Sequence, residues 1–228
     1  MKMLEITNGL KIQVHIKGDK VSKSIILIGN ADVKKNEDFG DVIDSFDNVA
    51  RFNRFEINGY EKYIGTKTTH WILNKYLYGL DFFQKKLKGD FDVKRYVISV
   101  DTPNKNSNLK NITYVLGQES ENYKKYFSLF KTVMGKGALP AYKPETGILT
   151  ILYFLDRFET IYLHNFDFGK TPHYYSKKSD SGKVTKIADL PNQKHAWNYS
   201  KKIVEYFIEK NRIKIVNEKN KIGVTDGE

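Results

Sequence analysis

The sequence predicts an α/β fold, and three observations predict it. The stretch Ser24 to Ile28 is an Ile- and Leu-rich run that stops abruptly at Gly29-Asn30, the pattern of a buried parallel strand entering a tight loop. Strand-like and helix-like runs then alternate along the chain, which selects a parallel sheet covered by helices. Finally, 228 residues, of which 40% are hydrophobic and 14% aromatic, suffice for one good core near the upper size of a single domain. The expected architecture is a single Rossmann-like domain with a mostly parallel twisted sheet and helices on both faces.

In order, residues 1–20 read as an N-terminal extension and Ser24 to Ile28 as the first strand of the sheet. Asp41 to Phe46 is a short helix candidate, and Asn48 to Phe52 a second strand. Between Thr69 and Leu87, Ile72, Leu73, Tyr76, Leu77, Leu80, Phe83 and Leu87 approach a three-and-four spacing, which predicts an amphipathic helix broken near Gly79. Tyr96 to Val100 reads as a buried strand, and Asp101 to Asn111 as a polar loop. Ser120 to Val133 carries Tyr123, Tyr126, Phe127 and Phe130 at helical spacing, a core face. From Pro144 a Thr-Gly turn leads into a helix through Leu149, Leu152 and Leu155, then a strand from Thr160 to Leu163 ending near Asn165. The polar stretch Gly169 to Asn192 reads as an active-site flap. A last helix from about Trp197 to Lys210 precedes a strand from Ile213 to Val216, and residues 217–228 read as a frayed, flexible tail.

The chain has no cysteine, which excludes disulfides, thiolate metal sites and a Cys nucleophile. Met1 to Leu10 lacks the apolar stretch of a signal peptide, and no run approaches the roughly 20 apolar residues that cross a bilayer. The expected location is the cytoplasm, with peripheral association at the inner face of the membrane. The net charge of +11 favours anionic partners, and dispersed Lys with a mean hydropathy of -0.54 reads equally as a solvated basic surface. A basic protein that binds nucleic acid or an anionic surface therefore stands as the alternative of another class, although no local basic cluster or nucleic-acid motif is present.

Ligands of open parallel sheets bind beyond the carboxyl ends of the strands, where Gly29, Asn30 and Asn165 fall. There, backbone amides can approach a phosphate, and an Asn side chain offers both donor and acceptor to a sugar or base. Next in the chain, Asp44, Asp47, Arg51 and Asn53 lie close together; Asp47 and Arg51 read either as a buried pair fixing the loop or as groups near a nucleotide. No dinucleotide glycine triplet and no Gly-Lys-Ser phosphate loop occur, which disfavours a plain dehydrogenase and a phosphate-loop ATPase. A DxD pair of the kind that holds a metal-bound nucleotide sugar is not evident, and the five histidines show no metal-ligand spacing. His173 in the flap and His195 before the last helix fall on the expected ligand face, where a His acts as a base or a phosphate donor.

Four ordered pieces resemble the large, small, third and very small motifs of the sialyltransferases, glycosyltransferase family 29. Ile25 to Asn53 resembles the large motif, with Gly29-Asn30, Asp44-Ser45-x-Asp47 and Arg51-x-Asn53, and Gly65 to Thr69 resembles its sequel. Pro144 to Phe166, with Thr146-Gly147, resembles the small motif; His173-Tyr174-Tyr175 the third; and His195 the opening of the very small motif. Together they span about Ile25 to Phe207. Three positions depart from the pattern: Glu145 stands where the family has a small hydroxyl residue, Val33 where related proteins have Ser, and Ser200 where the very small motif ends in Glu. Absence of the paired motif cysteines and of an anchor makes the resemblance one to a bacterial or viral form. A second bacterial sialyltransferase family shares the Gly-Asn strand end and Tyr-rich flap.

The resemblance implies a GT-A-like sialyltransferase variant of the fold and an inverting, metal-independent transfer of sialic acid from CMP-sialic acid to an acceptor hydroxyl on a surface glycan, as in lipopolysaccharide or capsule synthesis. CMP-Kdo is the alternative donor. His195 is implied as the base, with His173 as a second catalytic residue. Gly29, Asn30, Asn53, Thr146, Gly147 and Tyr174 are implied to hold the donor, with Asp47 and Arg51 structural nearby. The expected partners are the CMP-sugar donor, a glycan or glycolipid acceptor and an anionic membrane surface, with no cofactor, no metal and no nucleic acid.

Overall fold

The structure, a computed structural model, describes residues 2–6, 10–14, 22–33, 38–74, 95–99, 112–114, 121–135, 144–171, 173–175 and 194–216. Its elements are β1 (Lys2–Ile6), β2 (Leu10–Val14), β3 (Ser22–Ile28), α1 (Gly40–Asp44), β4 (Val49–Phe52), α2 (Glu61–Ile64), β5 (His70–Asn74), β6 (Arg95–Ser99), β7 (Ile112–Tyr114), α3 (Glu121–Met134), α4 (Thr146–Leu155), β8 (Phe158–His164), α5 (Lys194–Glu209) and β9 (Ile213–Ile215). Strands β1 and β2 pair antiparallel as a sheet of their own, an element the sequence reading left inside the N-terminal extension.

The other seven strands form one sheet in the order β7-β6-β5-β4-β3-β8-β9, every neighbouring pair parallel. From β3 the chain winds outward to β7, then returns to place β8 on the other side of β3 and continues to β9. The order therefore reverses between β3 and β8, and the crevice at their carboxyl ends is where ligands bind in open parallel sheets. Both faces are covered. Ile25, Leu27, Ala50, Phe52, Ile161 and Leu163 pack in one core that includes residues of α3, α4 and α5. Ile26, Ile28 and Val49 pack with Ile43 of α1 and Ile64 of α2 in the other. Two covered faces explain why β3 reads as an unbroken apolar run: alternation vanishes when neither face meets water.

The same physics overturns the amphipathic helix expected from Thr69. His70–Asn74 is a strand, inserted between β4 and β6, with His70 to Leu73 all buried. A short run of bulky apolar residues fits either a buried strand or one helix face, and spacing alone does not separate them. The remainder of that expected helix and its break near Gly79, the loop at 101–111, most of the flap and the 217–228 tail lie outside the described residues. α5 begins at Lys194, one turn before the expected start, which puts His195 in its first turn. In a parallel βαβ arrangement each helix runs back against the strands it connects, so the start of α4 before β8 and the start of α5 after β8 both lie at the carboxyl edge of the sheet.

Candidate functional site

At the switch point, β3 and β8 are sewn together just beyond their last paired residues. Gly29 N–H donates to His164 O at 2.8 Å, and Ala31 N–H to Asn165 O at 3.3 Å. Asn165, held at φ +59, donates its amide to Ala31 O at 2.5 Å. A side chain at Gly29 could not fit: a Cβ there would stand 2.3 Å from Asn165 O. The glycine that ends the apolar run is thus demanded by the close approach of two backbones.

Asn30 sits on this seam and organises its surroundings. Its Nδ2 donates to Phe52 O at 3.0 Å and Arg54 O at 3.1 Å, clasping the backbone on either side of Asn53. Asn53, in the left-handed region at φ +50, accepts the Asn74 N–H on Oδ1 at 2.9 Å and the Trp71 indole N–H on its carbonyl at 2.9 Å. Strand ends β3, β4 and β5 are therefore linked through two asparagines. Among the described residues, Asn30 Oδ1 and Asn53 Nδ2 have no partner, so the pair presents one acceptor and one donor.

The flap residues close on the same point. Asn30 O accepts from Tyr174 N–H at 3.2 Å and lies 3.3 Å from His173 Nδ1; a carbonyl only accepts, so that nitrogen carries the proton and Nε2 is the acceptor of the neutral ring. The His173 ring stacks on Tyr175 with centroids 5.3 Å apart and planes 5° from parallel. Tyr174 has another task than the one expected from sequence. It is buried, its hydroxyl donates to Glu56 O at 2.8 Å and accepts from Glu56 N–H at 3.0 Å, and burial pushes its pKa up to about 12. It anchors the flap to the loop after β4. The turn after β8 is similarly braced: Asp167 accepts from Gly169 N–H and Thr171 N–H and hydroxyl, and Thr171 Oγ1 accepts from Asp32 N–H.

Arg51 corrects the pairing expected with Asp47. Asp47 is exposed, whereas Arg51 is 1% exposed. Its guanidinium donates to Ile64 O (2.7 Å), Gly65 O (2.9 Å), Lys67 O (3.2 Å) and Thr68 Oγ1 (2.9 Å). Burial lowers its pKa to about 10, partly offset by Tyr174 and Asp44. The acid that matters is Asp44, which accepts from Thr66 N–H, Thr66 hydroxyl and Lys67 N–H at 2.8–2.9 Å. Gly65 takes φ +65, and a Cβ there would meet Asp44 Oδ1 at 2.4 Å. The short range between Asp44 and Arg51 suggested a local pair; the real partners are backbone carbonyls of the 64–68 loop, which no spacing advertises.

Across the sheet edge, α4 starts at Thr146 with Glu145 as its N-cap residue, and the Glu145 side chain makes no capping hydrogen bond. Instead Glu145 Oε2 accepts from the hydroxyl of Ser200, a buried residue of α5, at 2.5 Å. Burial raises the Glu145 pKa. Among the described residues, a Cβ at Gly147 would meet nothing within 4 Å, so packing there does not require that glycine. His195 lies in the first turn of α5, and its side chain is outside the described residues. The structure thus gathers Gly29, Asn30, Asn53 and His173 directly, and sets Thr146-Gly147 and His195 on helix starts at the same sheet edge. Asp44 and the Glu145–Ser200 contact were missed as partners, although Glu145 and Ser200 were each visible as departures from one motif pattern.

Comparison with known proteins agrees with this fold. The model of glycosyltransferase family 29 (sialyltransferase) matches residues 2–156. A type 2 lactosamine alpha-2,3-sialyltransferase of Mus musculus is 40% identical over 47 residues, 21% of this chain but only 14% of that protein. Among solved structures, the monofunctional alpha-2,3-sialyltransferase Cst-I from Campylobacter jejuni superposes with a TM-score of 0.54 at 17% identity, over 91% of this chain and 80% of its own. A mammalian sialyltransferase in complex with Gal-beta-1-3GalNAc-ortho-nitrophenol superposes with a TM-score of 0.53 at 17% identity, over 86% and 69%. At such identities the superpositions speak for a shared fold.

Proposed function

The chain belongs to glycosyltransferase family 29, the sialyltransferases, and from that premise we propose that it transfers sialic acid from CMP-sialic acid to a sugar hydroxyl of a surface glycan, by an inverting displacement that needs no metal. The observation that carries the reading is the convergence of Asn30, Asn53 and His173 at the reversal of strand order. Asn30 Oδ1 accepts from an amino or hydroxyl group of the cytidine, and Asn53 Nδ2 donates to a phosphate or base oxygen. The N–H groups that open α4 at Thr146-Gly147, with the helix dipole behind them, take the charge of the departing phosphate, and Gly147 leaves room for it to approach. His173 stands beside Asn30 and, with both ring nitrogens protonated, donates from Nε2 to that phosphate while Nδ1 donates to Asn30 O. His195 removes the acceptor proton as CMP leaves, a contribution of about 100-fold to 10,000-fold for a well-placed base. The positive charge of the whole chain, +11, suits a donor carrying a phosphate and a carboxylate, and an acceptor at an anionic, cytoplasmic membrane face.

Two measurements test this. Thermal stability is compared with CMP, CDP, UMP, GMP and NAD, each at about 1 mM; a nucleotide at 100 times its dissociation constant stabilises by about 2.7 kcal/mol. The expected result is a shift with the cytidine nucleotides alone. Transfer is then assayed in EDTA with CMP-sialic acid and CMP-Kdo against a panel of glycan acceptors. Product of the opposite anomeric configuration from CMP-sialic acid supports the proposal, and absence of transfer or CMP release from either donor sinks it.

A further inference from the structure

Glu145 and Ser200 are each out of place by local rules. An N-cap position favours Ser, Thr, Asp or Asn, whose short side chains bond the free N–H groups of the first turn. Here it holds a Glu that makes no such bond. A helix interior favours Glu over Ser, yet the buried position in α5 holds Ser. The two residues touch each other, Ser200 Oγ to Glu145 Oε2 at 2.5 Å, across 55 positions of sequence. Glu145 Oε1 is buried without a partner among the described residues. Its burial and the nearby Tyr126, a buried phenol whose own pKa is pushed up by burial and by the Glu145 charge, make this an expensive place for a carboxyl group. Where local preferences are broken on both sides of one contact, the contact has a role beyond helix stability.

We infer that Glu145 and Ser200 form an exchanged pair, the carboxyl supplied from the start of α4 and the hydroxyl from α5, that fixes the first turn of α4 relative to the second turn of α5. Glu145 immediately precedes Thr146-Gly147, and Ser200 lies five residues, or about 7.5 Å of helix rise, beyond His195. The contact therefore sets the distance between the helix start that receives the donor phosphate and the turn that carries the base. Glu145 is a positioning residue, acting through His195 on the acceptor side. The resembled motifs place a hydroxyl residue at 145 and Glu at 200; this chain carries the same two groups with their ends reversed.

The inference rests on the proposed transferase reading, and the experiment separates the two. Steady-state kinetics with CMP-sialic acid are measured for wild type, E145A, E145Q, S200A, S200E and the exchanged double variant E145S/S200E. E145A and S200A are expected to lower kcat by about 10- to 100-fold while KM for the donor moves less than about threefold, because a misplaced base slows the step more than it weakens donor binding. E145Q keeps the acceptor for Ser200 and restores kcat to within about threefold of wild type. S200E alone sets two carboxyl groups against each other and is the least active, and E145S/S200E recovers at least about tenfold over it, a coupling between contacting residues that a purely local role does not produce. If E145A fails to fold, S200A and the exchange carry the same comparison. Wild-type kcat in both E145A and S200A, or a double variant no better than S200E, overturns the pairing while leaving the transferase reading intact. Absence of activity in wild type removes the transferase reading, and the inference falls with it.

Discussion

The two halves of the candidate site are built on opposite plans. On the β3–β4 side, polar groups are tied to backbone: Arg51 donates to three carbonyls and a hydroxyl of the 64–68 loop, Asp44 receives three donors from Thr66 and Lys67, Asn30 clasps both neighbours of Asn53, and Tyr174 is bonded twice to Glu56. On the α4–α5 side, a single hydroxyl–carboxyl hydrogen bond joins the start of α4 to the second turn of α5; Glu145 Oε1 is buried and, like Arg51 Nη1 on the other side, unpartnered among the described residues, and packing among those residues does not require the glycine at 147. A network of many hydrogen bonds resists change and defines one geometry. A sparse contact between helix ends sets a distance, at a cost in stability. The difference teaches that the β3–β4 side is a seat held by many bonds, whereas the α4–α5 side is adjusted by few atoms.

The largest effect is expected where the seat is broken. Arg51→Met leaves the Ile64 and Gly65 carbonyls without a donor in a buried loop, and the unfolding free energy in a urea titration falls by about 3–5 kcal/mol. Next, His195→Ala lowers kcat by at least about 100-fold with a near-native melting temperature, since it touches the reaction and not the seat. An equal loss of stability and rate would erase the contrast between the halves. Gly147→Ala sharpens it further. The added methyl meets no atom of the described residues, so helix stability is expected to rise by up to about 0.5–1 kcal/mol, while affinity for CMP in calorimetry is expected to drop about tenfold if the proposed phosphate approach holds.

The smallest effect is a pH dependence at Glu145. Burial raises its pKa in the folded state above the unfolded value. As pH rises through the interval between those two values, the unfolded chain has already lost the proton that the folded one keeps, so stability falls with pH there. Gln cannot ionise and escapes that loss. E145Q should therefore melt at the same temperature as wild type near pH 4 and higher near pH 8, by a stability difference within about 1 kcal/mol. A gain of equal size at both pH values would show that ionisation of Glu145 contributes nothing.

Ser24–Ile28 followed by Gly29-Asn30, and Thr160–Leu163 followed by Asn165, were enough to mark the ends of the two strands between which the strand order reverses, because an apolar run cut off by a Gly or Asn is a signal carried by neighbouring residues. The alternation of elements determined the class of fold, and the ordered motifs the family. Tertiary structure alone decided that His70–Asn74 is a central strand, because a strand buried on both faces carries no period of its own. It alone decided that Arg51 holds backbone carbonyls instead of Asp47, and that the Tyr174 hydroxyl is tied to Glu56. The joining of Glu145 to Ser200 was likewise invisible as a contact. In each case the deciding partner lies 13 or more residues away and is most often a backbone group, which every residue possesses and no sequence pattern marks.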